Sequence, residues 1–113
     1  RNLQDYVRLS FTTQHPMMYI AMKDGRIDNP VILKIDPSVV YLKHTKYSNM
    51  NATIKRLAPN IGTSLEDFKK IHFNSVKVQT HFDLNVEEQP YFQAEVMVKT
   101  FISKKYIVNL DTI

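Results

Sequence analysis

The nine residues Tyr91-Phe92-Gln93-Ala94-Glu95-Val96-Met97-Val98-Lys99 are the most strand-like stretch of the chain, and their reading decides the fold. Phe92, Ala94, Val96 and Val98 recur at every second position, the period of a half-buried strand. The other face then carries Tyr91, Gln93, Glu95, Met97 and Lys99. A carboxylate in the middle of such a strand is costly near apolar groups unless it is paired or hydrogen-bonded. Glu95 therefore has two readings. In one it is a solvated residue, paired with Lys99 or with a neighbouring strand. In the other it is held rigidly for chemistry, with Gln93 beside it. A carboxylate so placed can hold a ribose hydroxyl, stabilise positive charge at an anomeric carbon, or act as a general base.

Outward from this strand the pattern is α+β. Tyr6 to Phe11 alternates, with Val7, Leu9 and Phe11 on one face and Tyr6, Arg8 and Ser10 on the other. Pro16 suits the first turn of a short helix that Asp24-Gly25 stops, with His15 at its start. Met17, Met18 and Met22 read as padding for an irregular core. Pro30 opens an apolar run, Val31 to Ile35, dense enough to predict an interior strand, and Asp36 can cap a brief turn after it. Residues 43–63 are polar and irregular. Ser64 and Asp67 form a capping box for a helix of roughly eight residues, with Leu65, Phe68 and Ile71 on one side. Asn74 to Phe82 predicts an irregular strand, 83–90 an acidic connection, and Ile107, Val108 and Leu110 a last strand. The expectation is a single domain over 1–113, with short helices around a mixed or antiparallel sheet.

The 113 residues suffice for one domain, and 43% apolar with 23% charged residues excludes a disordered tail. With no cysteine there is no disulfide, thiolate nucleophile or sulfur-based zinc site, and cytoplasm is the default compartment. His72 and His81 have no carboxylate or second histidine at ligand-like spacing, so no metal is expected. Charge is uneven. Residues 1–60 hold nine basic and four acidic residues, whereas 61–113 hold six and seven. Between Asp36 and Glu66 there is no acid, yet Lys43, His44, Lys46, Lys55 and Arg56 occur there with Tyr41, Tyr47, Asn49, Asn51 and Asn60. Such a stretch is either an ordinary solvated region or a surface that follows a phosphate backbone, with tyrosines stacking on bases.

Four blocks in order resemble the DarT-type DNA ADP-ribosyltransferases. Tyr6-Val7-Arg8-Leu9-Ser10-Phe11 with His15-Pro16-Met17-Met18-Tyr19 resembles the family's "YVP-aromatic-YF … PML" block. Tyr47 to Ala52 is similar to its turn ending in asparagine-alanine, and Leu65 to Phe73 to its following short helix. Gln93-Ala94-Glu95-Val96-Met97-Val98 resembles the strand that carries the catalytic glutamate. The resemblance implies an ADP-ribosyltransferase-like fold and NAD-dependent transfer of ADP-ribose to a base of single-stranded DNA. It also implies a toxin opposed by a macrodomain antitoxin. Glu95 takes the catalytic place with Gln93, and Tyr6 falls on a strand that lines the donor pocket. Lys43, Lys46, Tyr47, Asn49, Lys55 and Arg56 lie where substrate-access loops are expected.

Two departures qualify the match. The family's histidine-x-threonine donor segment lies upstream of the first block, so this chain, beginning at Arg1, is expected to be a fragment incomplete at its amino terminus. Neither His15 nor His44 stands in that histidine's place. Where the family has arginine two residues before the proline, this chain has Gln14, which cannot make a bidentate charged contact to a diphosphate. Arg8 is a candidate to take over part of that contact, and Arg1 a second. The alternatives are a catalytically inactive domain that binds single-stranded nucleic acid, and a transferase acting on protein or RNA.

Overall fold

A computed structural model describes residues 3–54 and 56–112, so Arg1 and Lys55 fall outside the described residues. The elements in chain order are β1 (Tyr6–Ser10), α1 (Pro16–Lys23), β2 (Lys46–Ser48), β3 (Ile61–Gly62), α2 (Leu65–Lys69), α3 (Phe73–Val76) and β4 (Glu95–Lys99), joined by short 3-10 turns. The strands form one sheet in the order β1-β4-β2-β3, and every pairing is antiparallel. β4 has a neighbour on each side, which explains why Met97 as well as Val96 and Val98 is buried.

The register gives the sheet two different faces. Val7 opposes Val98, and Leu9 and Tyr47 both oppose Val96, so this side is apolar. It packs on Val39, Ile71, Val76, Phe68 and Phe73 to form the core. Edge-to-face rings tie it together, Tyr47 on Phe68 at 5.1 Å and Phe11 on Phe73 at 5.8 Å. The other side carries Tyr6, Arg8 and Ser10 of β1, Lys46 and Ser48 of β2, and Glu95, Met97 and Lys99 of β4.

Local chemistry sets several element ends. His15 caps α1 by accepting the Met17 N–H at Nδ1, and Gly25 follows the helix at φ +77°, a conformation that favours glycine. The capping box forms with both reciprocal bonds, although α2 runs only from Leu65 to Lys69. Gly62 is required by close approach. A Cβ there would meet the Asp67 carboxylate at 2.0 Å, the same group that closes the box onto Ser64. Gly62→Ala should therefore push Asp67 off its partners and destabilise the fold by about 1–3 kcal/mol, measured as a lower denaturation midpoint with an unchanged slope.

Several expected elements differ. Val31 to Ile35 is not an interior strand. Val31 and Leu33 are exposed, and only Ile35 makes a bridge, to Ile107. The Asn109 amide takes the place of a ladder there, accepting from the Lys34 N–H at 2.8 Å and donating to the Ile32 carbonyl at 2.9 Å. The same bridge and the turn over Leu110–Thr112 replace the expected last strand. Residues 74–82 contain most of α3 and the start of a 3-10 turn over His81–Asp83 instead of a strand. Within the supposedly irregular 43–63 lie β2 and β3, too short for a periodic signal. Met17 and Met22 are exposed and do not pad the core. Finally, Gln89–Gln93 is a 3-10 turn with Pro90 at its start, so the strand begins only at Glu95.

Candidate functional site

Glu95 opens β4 between Ser10 of β1 and Ser48 of β2, and only 5% of its surface is exposed. Its carboxylate is clasped by Arg8 through two parallel bonds, Nε to Oε1 at 2.7 Å and Nη2 to Oε2 at 2.8 Å. Two strand positions make this possible. Arg8 lies two residues before Ser10 on the same face and reaches along the strand to the residue that Ser10 opposes. A third bond comes from the Ala52 backbone N–H, at 2.6 Å to Oε2. Oε2 thus accepts twice and Oε1 once, which leaves acceptor capacity on Oε1. The partnership is mutual. The bond to Glu95 holds the Arg8 guanidinium above its ordinary value, against the opposing effect of burial.

Asn51 is the hub of the surrounding polar network. Its Oδ1 accepts from Arg8 Nη2 at 3.0 Å, the Thr53 N–H at 3.0 Å and the Thr53 hydroxyl at 2.7 Å. Its Nδ2 donates to Gln93 Oε1 at 3.4 Å. Gln93 therefore joins the cluster from a turn rather than from a shared strand face. Sequence reasoning did not single out Asn51 and Ala52 as site residues. The available signal was the turn from Tyr47 to Ala52, whose backbone N–H no side-chain pattern reveals.

His15 stands at the edge of this site, where it senses the charges of both Glu95 and Arg8. Burial holds its imidazole below the ordinary 6.5, Glu95 pulls it up, and Arg8 pushes it down. The folded chain thus binds a proton less readily than the unfolded chain. Stability from this group is complete above about 6.5 and is lost as pH falls toward the lower folded value. Protonation at Nδ1 also removes the acceptor that caps α1. A falling melting temperature between pH 7.5 and 5 is expected, and His15→Asn, which keeps a cap acceptor without titrating, should flatten that component.

The remaining expected site residues are scattered. Tyr6 lies at the far end of β1, opposite Lys99, about 13 Å along the sheet from the Glu95 position. Gln14 accepts from the Tyr19 hydroxyl across the first turn of α1 and is exposed. Lys43 and Arg56 are exposed, and Lys46 stands over the Tyr6 ring. Asn49 clasps Asn60 across its loop, accepting its N–H at 2.9 Å. Tyr47 is a correction: its ring is buried in the core and its hydroxyl donates to the Val40 carbonyl, which removes it as a base-stacking surface.

His72 does find a carboxylate, contrary to the spacing argument. Glu88 Oε2 lies 3.0 Å from His72 Nδ1 and accepts the Ser75 hydroxyl at 2.7 Å, while Tyr91 stacks on the imidazole at 3.6 Å. These bonds, with His72 the largest cause, hold Glu88 below the usual carboxylate range. They join α3 to the turn before β4. Among the described residues no group of three or more histidine, cysteine or acidic side chains converges as a metal ligand set.

An antiparallel α+β domain with a clamped carboxylate at the start of its central strand is the class that the fold and site define. Over residues 1–113 the chain matches the family described as "DarT: ssDNA thymidine ADP-ribosyltransferase, DarT", and it belongs to that family. Neither the curated proteins nor the solved structures contain a match to it. Among the described residues no helix is long and apolar enough to cross a membrane.

Proposed function

We propose that this chain transfers ADP-ribose from NAD to a base of single-stranded DNA, thymidine being the base in the family's description, with Glu95 as the catalytic residue. The observation that carries the reading is the carboxylate itself, buried, ionically paired and fixed from three directions at the family's catalytic position. Such fixation suits a group that must meet one hydroxyl in one geometry. The residues fit a ribose-bearing donor, because Oε1 retains a lone pair and Arg8, Gln93 and Asn51 supply further polar atoms around it.

In this mechanism Glu95 Oε1 accepts a ribose hydroxyl and its negative charge faces the anomeric carbon as the bond to nicotinamide breaks. The base attacks that carbon and loses its proton. Single-stranded substrate avoids the cost of extruding a base from a duplex. Tyr6, Arg8 and Gln14 stand as donor-side candidates. Lys43, Lys46, Asn49, Lys55 and Arg56 are candidates for the DNA path. A cytoplasmic toxin neutralised by a macrodomain antitoxin is the biological setting we infer from the family.

One observation favours a second reading. A carboxylate closed off by Arg8 and Ala52 is also what a structural ion pair would look like, and a non-catalytic DNA-binding domain would retain it. Incubating the chain with NAD and a thymidine-containing oligonucleotide separates the two by mass spectrometry. The transferase adds one ADP-ribose per modified base, whereas the binding domain leaves the oligonucleotide mass unchanged.

A further inference from the structure

The sheet face that ends in Glu95 begins in a different chemistry. Tyr6 opposes Lys99 across β1 and β4, and Lys46 of β2 comes in from the other side of β4. The Lys46 and Lys99 ammonium groups both stand 4.9 Å from the centroid of the Tyr6 ring. Each cation is attracted to the ring, and each repels the other. Neutralisation is slight. Asp5 reaches Lys99 only at 3.8 Å with both side chains in solvent, and Lys46 has no carboxylate partner among the described residues. The cluster therefore carries surplus positive charge around an aromatic surface, and an anion lying between the two ammonium groups would relieve their repulsion.

We propose that Lys46, Tyr6 and Lys99 form a subsite for a backbone phosphate of the single-stranded nucleic acid whose base reacts at Glu95. The proposal rests on reading Glu95 as the catalytic end of this face. Two features assign the phosphate to the acceptor strand rather than to the donor. Glu95 and Lys99 bound β4, four residues or about 13 Å apart, whereas the near phosphate of a dinucleotide is tied to its ribose through one methylene. The cluster also adjoins the acid-free stretch, with exposed Lys43 three residues before Lys46. Tyr6 is thereby moved from the donor pocket to the acceptor path, and Lys99 enters as a residue no sequence motif had marked.

The test is a Lys46→Gln, Lys99→Gln double variant of the full chain, binding a fluorescent oligothymidine over a salt series, with NAD binding measured alongside. For each ammonium–phosphate pair removed, affinity should fall about fivefold at 0.1 M salt and the log–log salt slope should flatten by about 0.7. NAD affinity and melting temperature should not change. Tyr6→Leu, which removes the ring and leaves both charges, should weaken oligonucleotide binding as well. An unchanged oligonucleotide affinity and slope would overturn the proposal. So would weakened NAD binding with an intact oligonucleotide affinity, which would place the donor diphosphate here instead. Running Glu95→Gln in parallel keeps the two readings apart. If wild-type protein transfers nothing, the catalytic reading falls, while a weakened lysine variant still supports the phosphate subsite.

Discussion

Glu95→Gln is expected to reduce ADP-ribose transfer by roughly a thousandfold or more while the chain remains folded. Glutamine keeps the shape of the side chain and can still accept from the Ala52 N–H or from Arg8. It loses the negative charge that the mechanism sets against the anomeric carbon, and its amide opposes a donor with a donor. Arg8 has a third of its side chain exposed and can turn toward water, so the stability cost should stay near 1–2 kcal/mol. Glu95→Ala is the poorer test. It removes a residue that is 5% exposed and accepts three hydrogen bonds, so a loss of activity could reflect a loosened fold. Thermal melts of both variants beside the oligonucleotide mass assay separate the effects. Wild-type yield from a folded Glu95→Gln protein would remove the catalytic assignment.

Arg8→Lys should lower kcat about 10- to 100-fold and leave the KM for NAD nearly unchanged. The reason is geometric. Arginine spans both carboxylate oxygens through Nε and Nη2, while lysine offers one ammonium that can serve either oxygen but cannot fix the plane. A catalytic carboxylate free to rotate meets its hydroxyl in the productive geometry less often. If Arg8 instead holds the donor's diphosphate, as its cleft-side position on the strand suggests, KM rises and kcat moves little. Steady-state kinetics therefore distinguish a positioning residue from a donor-binding one. Arg8→Ala goes further, leaving a buried carboxylate with only the Ala52 N–H, and should lower stability by about 1–3 kcal/mol.

Local signals carried well where the physics is local. Ser64 and Asp67 form their capping box, Asp36 caps its turn through the Ser38 N–H, and the alternation in Tyr6 to Phe11 yields β1 with the expected faces. Apolar density misled where burial depends on what lies nearby. Val31 to Leu33 reads as interior but lies at the rim, held by the Asn109 amide. The alternating burial of Phe92 and Ala94 is real, yet a turn produces it, because Pro90 cannot donate to a ladder. β2 and β3, at three and two residues, are strands only by virtue of their partners.

By itself the sequence determined which chemistry is present: an α+β domain, a glutamate on its best strand, an acid-free basic stretch, and the ordered blocks of a family that acts on single-stranded DNA. Side-chain type and short-range periodicity are properties of the chain, so they can be read from it. What sits beside what was decided only by tertiary structure. The register that brings Arg8 to Glu95 across 87 residues, the Ala52 N–H that completes the clamp, and the two lysines that share the Tyr6 ring all depend on β1 and β2 flanking β4. Strand pairing is a contest between distant segments for the same backbone hydrogen bonds, and no local pattern records its outcome.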